Sequence, residues 1–188
     1  MILSIGGVPG SGKTSVAHIL SQRLSLTFYS MGGLRAQMAI ERGLTIDQLN
    51  TLGEQDKTTD TSVDDYQKEL GQSSDNFIVE GRLSWFFIPH SFKIFLHCDP
   101  LESAKRIYQA RQNTDDRSDE PAYETIEQTR DALDRRMASD RLRYETYYGV
   151  NYQDTRHYDL VIDTTNMPGP METAEVILMQ LNVRSSTP

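Results

Sequence analysis

A single cysteine, Cys98, stands in 188 residues. That excludes an internal disulfide framework and a multi-cysteine zinc site. Long apolar runs are missing: nothing approaches the roughly 18 residues that a membrane helix needs. The N-terminal Met1-Ile2-Leu3-Ser4-Ile5 has no basic flank and turns glycine-rich at once, unlike a secretory signal. The expected compartment is therefore the cytoplasm, with no membrane partner. Excess positive charge is missing too. Lys and Arg number 19 against 27 Asp and Glu, a net charge of −8, which speaks against nucleic acid as a partner. Lysine is scarce, at five beside fourteen Arg, and eight of those Arg fall between Arg106 and Arg143 among nine acids. The planar guanidinium suits phosphate and carboxylate; so many acids in the same stretch equally describe a mixed, solvated helix face. His18, His90, His97 and His157 are scattered, with no metal-ligand spacing. No Asn-Lys pair occurs, so the guanine-reading motif of GTPases is absent.

What the chain does have is alternation of strand and helix. Period and breakers predict strands at Ile2–Ile5, Leu26–Tyr29, Asn76–Val79, Phe92–His97 and Tyr158–Ile162. Helices are predicted over Lys13–Leu24, Gly33–Arg42, Ile46–Leu52, Ser62–Leu70, Pro100–Arg111, from Pro121 to about Tyr148, and Met171–Leu181. There is no repeat and no linker long enough to split the chain. This order implies one α/β domain, a parallel sheet flanked by helices, with function at the carboxyl ends of the strands.

The strongest motif is Gly7-Val8-Pro9-Gly10-Ser11-Gly12-Lys13-Thr14, a complete G-x-x-x-x-G-K-[ST] between a predicted strand and a predicted helix. Its glycines let backbone N–H groups turn inward around phosphate oxygens, and the helix N-terminus adds a positive end. Residues 7–15, through Ser15, are the expected cradle for ATP. Lys13 is expected on the β- and γ-phosphates, and the Thr14 hydroxyl on Mg²⁺. The motif alone does not choose between kinase, GTPase and other ATPases.

Three further segments can build an acceptor site. Ser30, Gly32 and Arg35 lie where a strand hands over to a helix, although Ser30 also fits a simple N-cap. Glu80-Gly81-Arg82 ends an apolar strand; Glu80 can hold Mg²⁺ beside Thr14, and Arg82 can meet phosphate. Arg136, Asp140 and Arg143 follow i, i+4, i+7 and fall within about 40–60° of one another on a helix. They border the apolar stripe of Leu133, Met137 and Tyr144, as a cleft wall does. Ion pairing on a solvated face fits the same spacing.

Taken together, these landmarks resemble the nucleoside monophosphate kinases, and most closely the cytidylate kinase-like branch of archaeal type. The resemblance spans about residues 1 to 165. It rests on the phosphate loop, Ser30-Met31-Gly32, Glu80-Gly81-Arg82, the Arg136…Asp140…Arg143-Tyr144 row, and Tyr158 to Thr164. It implies a five-stranded parallel P-loop fold occupying residues 1–183. The core would comprise 1–29, 71–110 and 122–183, with a helical acceptor-binding insert at about 30–70, a lid at about 111–121 and a flexible tail at 184–188. It also implies Mg²⁺-dependent transfer of the γ-phosphoryl of ATP to a small nucleotide acceptor, CMP or dCMP first, by a monomer. Charge contacts are expected from Lys13, Arg82, Arg136 and Arg143. The acceptor is expected to be bound by Ser30, Gly32, Arg35, Arg82, Arg136, Asp140 and Arg143, with Arg106, Arg111 or Arg117 closing over the phosphates. Gly81-Arg82-Leu83 departs from the Gly-Arg-Asp of many bacterial cytidylate kinases and leaves the choice of base open. Other small acceptors, and a regulatory ATPase, are the alternatives.

Overall fold

The computed structural model describes residues 1–113 and 123–185. Five parallel strands form one sheet in the order β2-β3-β1-β4-β5, where β1 is Ile2–Gly7, β2 Thr27–Ser30, β3 Phe77–Glu80, β4 Phe92–His97 and β5 Leu160–Asp163. Every residue of the central β1 is buried, as expected for a parallel strand covered on both faces.

Two helices, α1 (Lys13–Leu24) and α8 (Pro170–Ser185), cover one face. Val16, Leu20, Ile177 and Leu181 pack there on Leu3, Ile5, Ile94 and Ile162. Between β2 and β3 the chain makes α2 (Met31–Glu41), α3 (Ile46–Gly53) and α4 (Thr58–Ser73). Met31, Val63 and Leu70 close over Ile2, Phe77 and Val79 on the other face. A single turn, α5 (Ser84–Phe87), precedes β4, and α6 (Pro100–Asn113) and the long α7 (Ile126–Tyr148) link β4 to β5. Tyr144 of α7 packs with Val8, Phe95 and Tyr152.

The predicted helix at 13–24 and the strand at 92–97 coincide with α1 and β4. Elsewhere the ends differ. Helix α4 begins at Thr58 rather than Ser62, with no side-chain cap of its own; Asp56, two residues before it, accepts from Thr58 N and Oγ1 and holds the turn that leads in. Ser30 Oγ accepts from Gly33 N, and α2 begins at Met31 rather than Gly33. Thr125 caps α7 at Ile126, not at Pro121. The last strand begins at Leu160 because Tyr158 turns into an aromatic cluster with Trp85 and Phe95. Residues 184–185, expected in a flexible tail, continue α8. Positions 111–113 of the expected lid complete α6; the rest of it, with Arg117, lies outside the described residues. Among the described residues, no helix is long and apolar enough to cross a membrane.

Candidate active site

The phosphate loop leaves β1 at Gly7, whose φ of +145° suits glycine; a Cβ there would stand 2.3 Å from Leu96 O. Val8 N then donates to Leu96 O at 3.2 Å, and Ser11 Oγ donates to Val8 O at 2.8 Å. Thr164, just past β5, closes the far side by donating from Oγ1 to Ser11 O at 3.2 Å. No side chain caps α1, so its first N–H groups face the loop and are open to an anion. Lys13 Nζ donates to Val8 O at 2.6 Å, which folds the ammonium back over the loop.

Facing the loop is the end of β3. Glu80 lies in register with Ile5 on one side and Ser30 on the other. Its Oε2 accepts from Thr14 Oγ1 at 3.2 Å and from Ser30 Oγ at 3.0 Å. Ser30 is thus both the cap of α2 and a Glu80 partner. Thr14 and Glu80 supply one hydroxyl and one carboxylate, too few to hold an ion alone. That fits Mg²⁺, which takes one or two protein oxygens and leaves the rest to water and phosphate. Among the described residues, no group of three or more His, Cys, Asp or Glu offers a metal site of its own.

From this point a chain of alternating charge runs inward. Arg82 Nε lies 2.8 Å from Asp140 Oδ2. Asp140 Oδ1 is 2.5 Å from Arg143 Nη2. Arg143 Nη1 donates to both oxygens of Asp60, at 2.6 and 2.7 Å, and Asp60 also pairs with Arg35 at 2.7 Å. Arg35 is pinned further by Asn50 Oδ1 and Thr59 O, each at 3.0 Å. Each carboxylate bridges two guanidiniums by charge, while Arg35 Nη2, Arg82 Nε, Arg143 Nε and Asp140 Oδ2 are buried without a hydrogen-bond partner among the described residues, a costly arrangement that opposite charge alone offsets. Burial opposes the charge of Arg82, but Asp140, with Tyr152 and Tyr144, outweighs it, and its pKa rises.

Lys13 is different. Burial drives its pKa down to about 8; Glu80 opposes this, while Arg82 and Arg136 repel it further. Lys13 and Arg82 share the cleft between the phosphate loop and the end of β3, and repulsion from Arg82 and Arg136 adds to the effect of burial on the lysine.

The structure brings Lys13, Gly32, Arg35, Glu80 and Arg82 to the wall of one cleft. Two residues of the expected acceptor wall lie behind the cleft surface in this structure. Arg143, expected to touch the acceptor, has a fully buried side chain (0% exposed) enclosed by Asp60 and Asp140. Asp140 is also buried and orients Arg82 from behind. Arg136 is half-buried one turn before Asp140. Arg106 is held by Glu102, Thr164 O and Thr165 O. Sequence reasoning missed Asp60, Asp64 and Gln67 of α4, all buried on the cleft side. Their one sequence signal is a helical stripe shared with Val63 and Leu70, which does not by itself turn polar residues inward. A larger cavity, about 390 Å³, lies beyond Val8 and Pro9. Its described lining is mostly apolar and includes no Lys or Arg, so it does not match a phosphate.

The family model described as the cytidylate kinase-like family matches residues 2–166. The chain belongs to this family. A cytidylate kinase of Methanobrevibacter smithii is 30% identical over 183 residues, covering 97% of this chain and 99% of its own. One of Methanococcoides burtonii is 36% identical over 166 residues, 88% of each chain. Among solved structures, an uncharacterized protein from Eubacterium ventriosum aligns with a TM-score of 0.69 at 17% identity over 97% of this chain and 98% of its own. A shikimate kinase from Aquifex aeolicus aligns at 0.60 and 16% identity over 99% of both chains. At those identities the likeness is one of fold, that of P-loop kinases. Membership in the cytidylate kinase-like family makes this chain a nucleoside monophosphate kinase.

Proposed function

We propose that the chain transfers the γ-phosphoryl group of ATP to the α-phosphate of CMP or dCMP, giving ADP and CDP or dCDP. The observation that supports this reading is the placing of Lys13, Arg35 and Arg82 on the wall of one cleft at the phosphate loop, beside the Glu80 carboxylate that accepts from Thr14. An ATPase without an acceptor has no need of a second guanidinium cluster there. The relatives named cytidylate kinase support cytosine as the base.

Phosphoryl transfer leaves little covalent work to the protein; positioning and charge neutralisation dominate. Backbone N–H groups of residues 10–15 hold the ATP phosphates. Lys13 and Arg82 meet the charge that spreads over the transferred group, and Arg136 adds to the same field. Ser30, Gly32 and Arg35 shape the acceptor side. Asp140 aims Arg82, and Arg143 aims Asp140. Thr14 and Glu80 would hold Mg²⁺, which would neutralise phosphate charge.

A coupled ADP-release assay with Mg-ATP against CMP, dCMP, UMP, AMP and GMP tests the reading. Stimulation by CMP or dCMP well above the others is expected. ADP release unchanged by every acceptor would overturn it. Glu80→Gln is expected to raise the Mg²⁺ concentration for half-maximal rate by roughly 10–100-fold. An unchanged Mg²⁺ titration would remove Glu80 from the metal site.

A further inference from the structure

Among the buried polar side chains of α4 are Asp60, Asp64 and Gln67, spaced along one helical stripe. Asp60 is fully engaged by Arg35 and Arg143. One turn on, Asp64 is 7% exposed and has no ion-pair cation among the described residues. Its Oδ2 accepts from the Tyr148 hydroxyl; its Oδ1 has no hydrogen-bond partner among the described residues. Gln67, 3% exposed, accepts at Oε1 from Ser84 Oγ at 2.7 Å. That bond leaves its Nε2 amide unpartnered among the described residues. Both side chains line the cleft that also holds Lys13 and Arg82.

Asp64 Oδ1 and Gln67 Nε2 are the open polar atoms of two otherwise buried side chains, so water or a ligand in the cleft completes them. Burial raises the Asp64 carboxyl to about 6, against the Tyr148 hydrogen bond and with help from Asp60, so it is mostly ionised at neutral pH. The cleft therefore presents an acceptor and a donor one helical turn apart, about 4.5 Å along the axis. Met31, Val63 and Leu83 supply apolar walls for a flat ring. Ser84 lies in the turn after Glu80-Gly81-Arg82, where a Cβ on Gly81 would come within 2.5 Å of its Oγ. The amide is thereby fixed to the same turn that aims Arg82 at the phosphates.

We infer that Asp64 and Gln67 are the base-reading pair of this enzyme, Asp64 Oδ1 accepting from the exocyclic amino group of cytosine and Gln67 Nε2 donating to its N3. The inference rests on the nucleotide kinase reading above and names the residues that set its base preference. Cytosine presents a donor beside an acceptor on this edge. Uracil presents the reverse, O4 against the carboxylate and N3–H against the amide NH₂, so both contacts become repulsive. The pair does the work for which Leu83 has no polar group.

The test compares kcat/KM for CMP and UMP in wild type, Asp64→Asn, Gln67→Glu and the Asp64→Asn/Gln67→Glu double variant. The double variant keeps net charge and exchanges donor for acceptor. Each single change is expected to lower the CMP:UMP ratio about tenfold or more, and the double variant to move preference to UMP. Packing roles alone would lower both substrates together. Equal losses on CMP and UMP in variants that melt like wild type would overturn the assignment. Calorimetric binding of CMP against the 2-pyrimidinone nucleotide, which lacks only the amino group, needs no variant. Wild type is expected to bind CMP at least tenfold tighter; equal affinities would overturn the pair. Selective CMP binding without turnover would leave the base-reading pair standing and sink the kinase reading instead.

Discussion

Lys13→Ala is expected to lower phosphoryl transfer by roughly 10²–10³-fold or more while leaving the empty protein at least as stable as wild type near neutral pH. The two halves of this result have one cause. The Lys13 ammonium is held where burial and the neighbouring Arg82 and Arg136 disfavour it, and its pKa falls from 10.5 to about 8. A lysine whose folded pKa is lowered binds its proton more weakly when folded, so its charge works against folding. That penalty is fully present below about pH 8, where both states are protonated. It disappears as pH rises from about 8 toward 10.5 and the folded lysine alone gives up its proton. Substitution relieves the penalty but loses the hydrogen bond to Val8 O, worth about 1 kcal/mol. The net gain is of order 1–2 kcal/mol at pH 7, shrinking at pH 10. Single-turnover ADP release and thermal melts at the two pH values check both halves. Turnover within tenfold of wild type would remove Lys13 from the chemistry. A large loss of stability at pH 7 would mean that the cation cluster is not strained.

That strain explains which parts of the site were legible in the sequence. The phosphate loop could be read residue by residue because its chemistry is local: glycines, a lysine and a threonine at fixed spacing beside one strand and one helix. Glu80 and Arg82 were legible for a similar reason, since an apolar strand ending in an acid marks a carboxyl end. The face shared by Arg136, Asp140 and Arg143 was also correct as helix geometry. Its depth was not. Whether a helical arginine lines a cleft or lies behind it depends on what packs across from it. Here that is Asp60, 83 residues away in sequence. Asp64 and Gln67 were hidden by their type, because polar residues on a predicted helix are ordinarily solvated. Only the packing of α4 against the turn after β3 shows that its polar stripe faces inward. The short α5 escaped because one helical turn carries too little periodicity to be recognised.

The buried charge chain carries the second large expectation, which concerns Arg143. Arg143→Met should destabilise the protein by about 3–5 kcal/mol, the usual cost of removing one partner from a buried ion pair. Its side chain is 0% exposed. It donates to both oxygens of Asp60 and to Asp140 Oδ1, so its removal strips two buried carboxylates at once. Arg35 remains on Asp60 and Arg82 on Asp140, which keeps the cost from doubling. The freed Asp140 would pull Arg82 inward, away from the phosphates, so turnover should fall as well, with the acceptor KM rising more than that for ATP. Neutralising one orphan tests the cause. Asp60→Asn added to Arg143→Met should recover part of the stability, a coupling of about 1–2 kcal/mol in a double-mutant cycle, while turnover stays low. Urea unfolding of the four proteins gives the cycle. If Arg143→Met cost less than about 1 kcal/mol yet abolished turnover, the guanidinium would reach the acceptor directly, and the buried arrangement would be one that substrate binding rearranges. If all four proteins were equally stable, the alternating chain would not be the element that joins the acceptor helices to α7.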